Sequence, residues 1–479
     1  MSNPQLTVLI ARLRWPVPAV KWWVSQQLAL LLLDIQQREV VQAALLDALL
    51  QARFEIEAVE LLFIFWLART RDQSYQFPTE LGAHVKARSP LSDLILKSVD
   101  SGCEYFGEYL APLLRFPGGT AKPRDFFAAE GFAFPAVLRS VLRYIEARTR
   151  LPLQAQFASE WQASLSRTPA HNHSIDFFLD SPRDQYTGQF FTQQSARARS
   201  AFLRTLSVAK DHGLPESSVE GFSLSTLPLD PVLAWLQPNP PVNGLALYES
   251  GLAESSVEDY IRAVLGQIRQ KGVVGALSWP VELGTSTWLD ITIVLWSGSV
   301  PQLHENLMPE DLFDVVGTLK SAGLETIARC AYTHEAASII GLSGALPLAG
   351  WIQSGQYGYM QADLINRHVF APIPVDQATE VEAAPEGGTL IFRCGGSKLA
   401  TFGYWNTKWR ANHLRDAGPR CGTYLLLSTD SKFPQWGESP GHLFYVWQCR
   451  RFTRESDFGP VRYTDTVGVL PWCKPARNS

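Results

Sequence analysis

The sequence predicts an α+β fold, in which an all-α N-terminal region precedes a mixed α/β region that ends in a largely antiparallel sheet. Three observations predict this order. Apolar residues recur at helical spacing through much of residues 1–240. From about residue 389 onward, segments rich in β-branched and aromatic residues alternate with turn-forming residues. Between the two regions, the proline-rich segment from Pro238 to Pro241 is typical of a linker or domain boundary.

The helices of the first region are predicted from apolar periodicity. In the segment from Val17 to Leu33, the spacing places one stripe of side chains on the same face: Val20, Trp23, Val24, Gln27, Leu28 and Leu31. Prolines stand just before or at its start, where a helix tolerates them. Further predicted helices occupy residues 40–52, 55–68, 134–148, 153–166 and 195–212, with a short one at 228–236.

The segment from Trp15 to Leu33 resembles one HEAT-type helical repeat. That pattern has a proline near the first turn, then a hydrophobic and a basic residue, then a long apolar helix. Here these positions are Pro18, Val20, Lys21 and the apolar run 28–32. The resemblance covers about 55 residues of the N-terminal region, and no clean second copy follows at the period such arrays show. It implies a docking surface formed by packed helices rather than a reaction.

The mixed region is predicted to span residues 242–479. It begins with a helix at 256–270 and two strands at 276–283 and 287–296, and a further helix follows at 309–322. The antiparallel strands from about residue 389 are predicted at 389–394, 399–405, 423–429, 443–452 and 467–472. The glycine pair at 395–396 predicts a tight hairpin between the first two of these strands.

Composition limits the class of protein. Of 479 residues, 46% are apolar and 18% are charged, which is typical of a folded protein and not of a coiled coil. Charge is uneven, because residues 211–390 carry 6 bases against 21 acids and residues 391–479 carry 13 bases against 6 acids. Two interpretations remain open: the regions attract each other, or the basic end faces a polyanion.

The six cysteines are sparse and none forms a C-x-x-C pair, which excludes a zinc site of that spacing. We therefore predict no metal and no cofactor. Few cysteines in a long chain are typical of a reducing compartment. No secretory signal pattern and no apolar run long enough to span a bilayer were found, so the expectation is a cytoplasmic protein with no membrane association.

The strongest functional pattern is a basic, aromatic segment from Arg393 to Arg420. Aromatic rings stack on bases, and lysine and arginine neutralise phosphates, so the segment predicts a hairpin that binds single-stranded or distorted nucleic acid. Its candidate binding residues are Arg393, Lys398, Tyr404, Trp405, Lys408, Trp409, Arg410, Arg415 and Arg420. The alternative is structural, because side chains alternate along a strand and the aromatic ones then point into a core.

Two weaker patterns complete the set. Cys421 stands at a turn into a strand, with His413 and His442 nearby in sequence, and a thiolate needs such a base to act as a nucleophile. The alternative is a half-buried cysteine at the start of a strand. The helix around residues 195–210 carries Arg197, Arg204 and Lys210, which indicates a solvated helix surface or, less readily, a phosphate contact.

The leading functional hypothesis is a non-enzymatic cytoplasmic adaptor or scaffold subunit, which docks other protein subunits through its helical half. The alternatives are a nucleic-acid-binding or sensing protein that uses residues 393–420, and a cysteine-dependent hydrolase. HEAT-like helices beside an unclassified domain also resemble components of bacterial multi-gene defence systems, and this resemblance implies a place in a multi-protein assembly.

Overall fold

The structure is a computed structural model in which the chain divides into two compact units. The main division between its two compact units falls between residues 237 and 238. The described residues are 4–15, 17–98, 136–164, 193–227, 229–231, 237, 239, 256–268, 273–284, 286–297, 346–347, 349–351, 370–372, 382–406, 421–428, 443–455 and 461–472.

The first unit is helical. Its helices are α1 (Pro4–Arg12), α2 (Pro18–Leu33), α3 (Arg38–Leu50), α4 (Glu55–Arg71), α5 (Leu81–His84), α6 (Pro90–Lys97), α7 (Ala136–Thr149), α8 (Leu153–Ala163), α9 (Gln193–Asp211) and α10 (Glu216–Thr226). The helices predicted from periodicity correspond to α2, α3, α4, α7, α8 and α9, whereas α1, α5, α6 and α10 were not predicted. Of the short helix predicted at 228–236, residues 229–231 are not helical and the rest lies outside the described residues.

Helix α4 is the central helix of this unit and contacts α2, α3, α6 and α9. It is buried on nearly all sides, because eleven of its residues from Glu55 to Ala68 are buried. Its start is capped from within the helix. Oε2 of Glu57 accepts hydrogen bonds from the backbone N–H groups of Arg53 at 2.8 Å and of Phe54 at 3.3 Å. These bonds satisfy amide groups that the first turn of a helix otherwise leaves without partners.

Helix α2 packs on α4 through only part of the predicted stripe. Val24, Leu28 and Leu32 are fully buried, whereas Trp23 and Leu30 are each 48% exposed. The predicted stripe was wrong in placing Trp23 with the buried side chains. The reason is that α2 is apolar on almost every side, so its periodicity alone does not select the face that packs.

In the described residues, the second unit holds a large antiparallel sheet, a separate two-stranded one and the helix α11 (Val257–Ile268). Its strands are β1 (Val273–Glu282), β2 (Thr287–Ser297), β3 (Leu346–Pro347), β4 (Ala349–Trp351), β5 (Phe370–Pro372), β6 (Glu382–Glu386), β7 (Thr389–Cys394), β8 (Ser397–Asn406), β9 (Cys421–Leu427), β10 (Leu443–Arg454) and β11 (Val461–Pro471). The main sheet has the order β11-β10-β2-β1-β9-β8-β7-β6, with β3 beside β2, and β4 pairs with β5 separately.

Strands β1 and β2 lie in the interior of this sheet, so the sheet includes residues far before position 389. Strand β1 pairs with β9, across more than a hundred residues of sequence, and β2 pairs with β10. Helix α11 packs on β1, where the Trp279 indole N–H donates to the Tyr260 hydroxyl at 3.4 Å. The predicted α+β class with a largely antiparallel sheet is therefore confirmed, and the predicted helix at 309–322 lies outside the described residues.

The predicted hairpin between β7 and β8 is present. Cys394 pairs with Ser397, and the two residues between them, Gly395 and Gly396, have φ values of 54° and 80°. Positive φ at both central residues is the type I′ turn, whose twist matches that of the flanking strands. Gly387 and Gly388 form the same kind of turn between β6 and β7, with φ values of 57° and 78°.

A recurring pairing joins the strands of this sheet. At three positions a glycine lies directly opposite an aromatic residue of the neighbouring strand, and a Cβ atom built on that glycine would overlap the aromatic ring. The three pairs are Gly403 with Tyr424, Gly422 with Trp405, and Gly468 with Trp447. Glycine in a strand interior leaves room for a ring to lie across the backbone, which explains its presence there.

Candidate functional site

The structure describes part of the predicted basic hairpin. Arg393 on β7 is the register partner of Lys398 on β8, so the two bases are neighbours across the strands. The guanidinium of Arg393 also contacts the carboxylate of Glu386 at 3.0 Å. Both partners of that ion pair face solvent in part, so the pair contributes little stability but neutralises one of the two bases.

Trp405 belongs to the sheet core. It is 5% exposed and lies across Gly422. Its indole therefore has no open face for a nucleic-acid base, as the structural alternative expected. The backbone of Tyr404 lies in β8 opposite Thr423. The other candidate residues of this segment lie outside the described residues: Lys408, Trp409, Arg410, Arg415 and Arg420. Nucleic-acid binding by residues 393–420 stays a prediction.

The cysteine hypothesis has a partial placement. Cys421 is the first residue of β9 and pairs with Asn406 of β8. His413 and His442 lie outside the described residues. A hydrolase that uses these three residues therefore also stays a prediction.

Arg197 of α9 is buried and the Arg204 side chain is only 13% exposed, which contradicts the prediction of a solvated helix for these two bases. Lys210 is different, because its side chain is 36% exposed and forms an ion pair with Glu216. Arg197 is 7% exposed. Its guanidinium donates to the Ser164 hydroxyl at 2.5 Å and to the Trp161 carbonyl at 2.6 Å, and it lies 3.6 Å over the Trp161 ring. These contacts join α9 to α8. The sequence did not predict these contacts. A basic residue on a helix gives the same sequence pattern whether it faces water or the polar groups of a second helix.

Arg204 is another base of α9, and its side chain is 13% exposed. It contacts Glu160 of α8 at 2.5 Å and Glu55 of α4 at 3.2 Å, and these two carboxylates are 2% and 1% exposed. Burial lowers the pKa of Arg204, but the two carboxylates outweigh it, so the pKa is raised above its ordinary value. The guanidinium therefore stays charged and holds α4, α8 and α9 together.

A cavity of about 300 Å³, partly open to solvent, lies in the helical unit among α1, α2, α3, α4 and α9. Half of its lining is charged: Arg14, Lys21, Arg53, Glu57, Glu60 and Arg199. The other half is apolar: Ile10, Leu13, Ala48, Ala52, Leu61 and Ala196. This combination, an apolar wall with a small set of charged groups, is typical of pockets that bind small molecules.

An ion-pair group lies in the wall of this cavity. Nζ of Lys21 lies 2.6 Å from Oε2 of Glu60, and the guanidinium of Arg199 lies 3.4 Å from Oε1 of the same carboxylate. Burial lowers the pKa of Lys21, although Glu60 partly offsets this effect. Burial raises the pKa of Glu60, but Lys21 and Arg199 outweigh it and hold the pKa below its ordinary value.

One sequence signal could have found this site. Lys21 interrupts the apolar run of α2 within its first turns, and a lysine on the packing face of a helix needs a buried partner. The partner itself could not be identified from the sequence, because Glu60 is 39 residues away and Arg199 lies on a helix far along the chain.

A second candidate site is an exposed apolar surface on the N-terminal helices. Among the residues that the structure describes, eight large apolar side chains are more than a third exposed, and seven of them lie between residues 8 and 40. We define the α2 face by five of them: Trp15 and Val17 before the helix, Trp23 and Leu30 on it, and Ile35 after it. Trp23 and Leu30 are two helical turns apart and therefore lie on the same side of α2.

Comparisons with known proteins give no relative from which a function could be transferred. The chain matches no protein-family model, no curated protein and no solved structure. Within the described parts of the chain, no helix is long and apolar enough to cross a membrane, and no group of three or more His, Cys, Asp or Glu side chains is arranged to hold a metal ion. The resemblance to a HEAT-type repeat stays a prediction.

Proposed function

We propose that this protein is a non-enzymatic docking subunit, which binds another protein through the α2 face. The single observation that carries the proposal is the concentration of exposed apolar side chains on one short stretch of the chain. Trp15, Val17 and Trp23 are 50%, 42% and 48% exposed, and Ile35 is 82% exposed. Exposed apolar side chains concentrated in one part of the chain are costly in water and are typical of a protein-binding site.

The residue types at this face also support binding to a protein. Tryptophan is among the residues that contribute most to binding free energy at protein interfaces, and two of the five residues of the α2 face are tryptophans. Helix α2 is anchored on its opposite side by fully buried residues such as Val24 and Leu28. The face is therefore presented on a helix that is already held in place, which lowers the entropic cost of association.

The partner that fits this face is a protein that presents a complementary apolar groove or helix. We place this protein and its partner in the cytoplasm, in a multi-protein assembly of the bacterial defence type. Supporting this compartment, the chain has only six cysteines, and Cys394 and Cys449 are free thiols.

The test is a comparison of three tagged proteins in a native host lysate: the wild type, the double variant Trp23→Glu/Leu30→Glu, and Leu283→Glu. Leu283 is 36% exposed and belongs to the other unit, so it is a matched control for an exposed apolar residue made acidic. We expect one protein to be recovered in a fixed ratio with the wild type and with Leu283→Glu, through washes at high salt, and to be lost from the double variant.

Two outcomes would contradict the proposal. In the first, the same protein is recovered equally with all three baits, which would place the interface elsewhere. In the second, nucleic acid that elutes with salt is recovered and no protein partner is found. That second result would favour the nucleic-acid hypothesis and make residues 393–420 the segment to mutate.

A further inference from the structure

The cavity in the helical unit has an excess of positive charge. Four of the six charged side chains that line it are basic and two are acidic, which leaves two positive charges in excess. The acidic side chains also have structural partners. Glu57 caps the start of α4, and Glu60 binds Lys21 and Arg199 in the cavity wall.

The positive charges are held in a setting that strengthens their effect on an anion. Lys21 and Arg199 have side chains that are 7% and 9% exposed. Water therefore screens them poorly, and an anion in the cavity would interact with them more strongly than with the same groups at the surface. Arg14 and Arg53 are exposed side chains of the same lining, which places bases where the cavity opens to solvent as well as inside it.

The basic side chains of the lining come from four segments of the chain. Arg14 follows α1, Lys21 lies in α2, Arg53 lies just before α4 and Arg199 lies in α9. The start of α4 itself adds no uncompensated positive charge, because Glu57 already accepts hydrogen bonds from the N–H groups of Arg53 and Phe54. The preference of the cavity for an anion therefore depends on these four basic side chains.

We propose that this cavity binds a small phosphate monoester, with the phosphate towards the basic side chains and a small apolar group against the aliphatic wall. Two excess positive charges match a phosphate monoester, which carries about 1.5 to 2 negative charges at neutral pH. The guanidinium group of arginine is planar and can donate two parallel hydrogen bonds to phosphate oxygens. The solvent-exposed bases of the lining are both arginines, Arg14 and Arg53. The volume of about 300 Å³ limits the ligand to a molecule of modest size.

The apolar half of the lining selects among such molecules. Ile10, Leu13 and Leu61 present aliphatic surface, while the alanines at 48, 52 and 196 leave space because their side chains are short. A ligand that is only an inorganic anion leaves this surface in contact with water. A monoester with a ring or short chain covers it and gains free energy from the burial.

The test uses phenyl phosphate as the probe, with benzoate and inorganic phosphate for comparison, by calorimetric titration of the full chain at low ionic strength. Arg14→Glu reverses a charge at the exposed part of the lining, and Lys86→Glu reverses an exposed base that does not line the cavity. Ala48→Phe fills the cavity without changing its charge. Neither Arg14 nor Lys86 is in a buried network, so both variants should fold, and thermal unfolding of each variant checks this.

We expect phenyl phosphate to bind one site on the wild type and on Lys86→Glu with the same Kd. In Arg14→Glu we expect Kd to rise about tenfold or more, since one charge-assisted contact is replaced by repulsion. Ala48→Phe should abolish binding. Inorganic phosphate should bind more weakly than phenyl phosphate.

The proposal is overturned if the folded wild type shows no heat of binding with phenyl phosphate. It is also overturned if Arg14→Glu and Lys86→Glu weaken binding equally, which would indicate diffuse surface charge. Benzoate that binds as tightly as phenyl phosphate would show that the site selects a carboxylate and would overturn the phosphate assignment. These outcomes do not depend on the α2 face, so they leave the proposed docking function to its own test.

Discussion

The indole of Trp405 lies across the backbone of Gly422, the residue directly opposite it on the neighbouring strand. A Cβ atom on Gly422 would overlap the ring, and Trp405 is 5% exposed. The same arrangement joins Gly468 to Trp447 and Gly403 to Tyr424. The glycines are therefore part of how the sheet packs its largest side chains, and they make the sheet sensitive to the smallest possible substitution.

Gly422→Ala should lower the free energy of unfolding by about 1–3 kcal/mol, because the added methyl group forces the Trp405 ring to move in a packed core. Gly284→Ala is the matched control, since nothing lies within 4 Å of a Cβ atom at that position. Denaturant unfolding followed by tryptophan fluorescence measures both. Equal stability of the two variants would show that the ring can move aside without cost.

Arg204→Met should destabilise the helical unit by about 3–5 kcal/mol, because it leaves two buried carboxylates without their charged partner. Those carboxylates belong to Glu55 and Glu160. Arg262→Met removes an exposed arginine from an i,i+4 pair with Glu258, so it should change stability by about 0.5 kcal/mol or less. A small effect at both positions in urea unfolding would contradict a structural role for Arg204.

The stability of the wild type relative to Glu60→Gln should depend on pH. The pKa of Glu60 is lower in the folded state than its ordinary value of 4.5, so the ionised carboxylate stabilises the fold. This contribution is complete above the unfolded-state pKa and is lost as pH falls through the folded-state pKa. We expect the wild type to be more stable by about 1–3 kcal/mol at neutral pH.

Thermal or urea unfolding of both proteins between about pH 6 and about pH 3 measures this difference, which should shrink towards the acid end. The double variant Lys21→Met/Glu60→Gln is the control. It should recover part of the lost stability, because the buried ammonium that has lost its carboxylate is also removed. A difference between wild type and Glu60→Gln that stays constant with pH would contradict the ionised pair.

Two leucines on α2 test which side of that helix packs. Leu28 is fully buried and Leu30 is 48% exposed. Leu28→Ala should cost about 2–5 kcal/mol, since it leaves a cavity against α4. Leu30→Ala should cost about 0.5 kcal/mol or less, because its side chain is already in contact with water. The denaturant midpoints of the two variants measure these losses in the free energy of unfolding. Equal losses would mean that the α2 face is buried.

Much of the secondary structure was predictable because it depends on local spacing. The strand Thr389–Cys394 was predicted with its observed bounds, and the turn at Gly395 and Gly396 was predicted from the glycine pair. Helices α2 and α4 were predicted within a few residues of their bounds. At α2 the periodicity placed Trp23 on the same stripe as the buried residues Val24 and Leu28, although Trp23 is exposed. The reason is that an almost entirely apolar helix has several faces of similar hydrophobicity.

The candidate sites were less predictable, and the reason is distance along the chain. The segment 393–420 was chosen for its composition, yet one of its tryptophans lies in the core. The sequence predicts a solvated helix for Arg197 and Arg204, whereas the structure places Arg204 between Glu55 and Glu160, which are far from it in sequence. No local pattern encodes an ion pair between residues more than forty positions apart.

The amino-acid sequence by itself determined the α+β class, the order of helices before sheet and the local turns, since each depends on the preferences of neighbouring residues. Only the tertiary structure decided that β1 and β2 lie in the interior of the sheet, that Lys21, Glu60 and Arg199 meet in one cavity wall, and that Trp23 faces solvent. These arrangements depend on which surfaces pack together across the chain. The packing that forms is the one that minimises both the exposed apolar area and the buried unpaired charge of a whole unit. It therefore depends on all segments of the unit together and cannot be predicted from one segment.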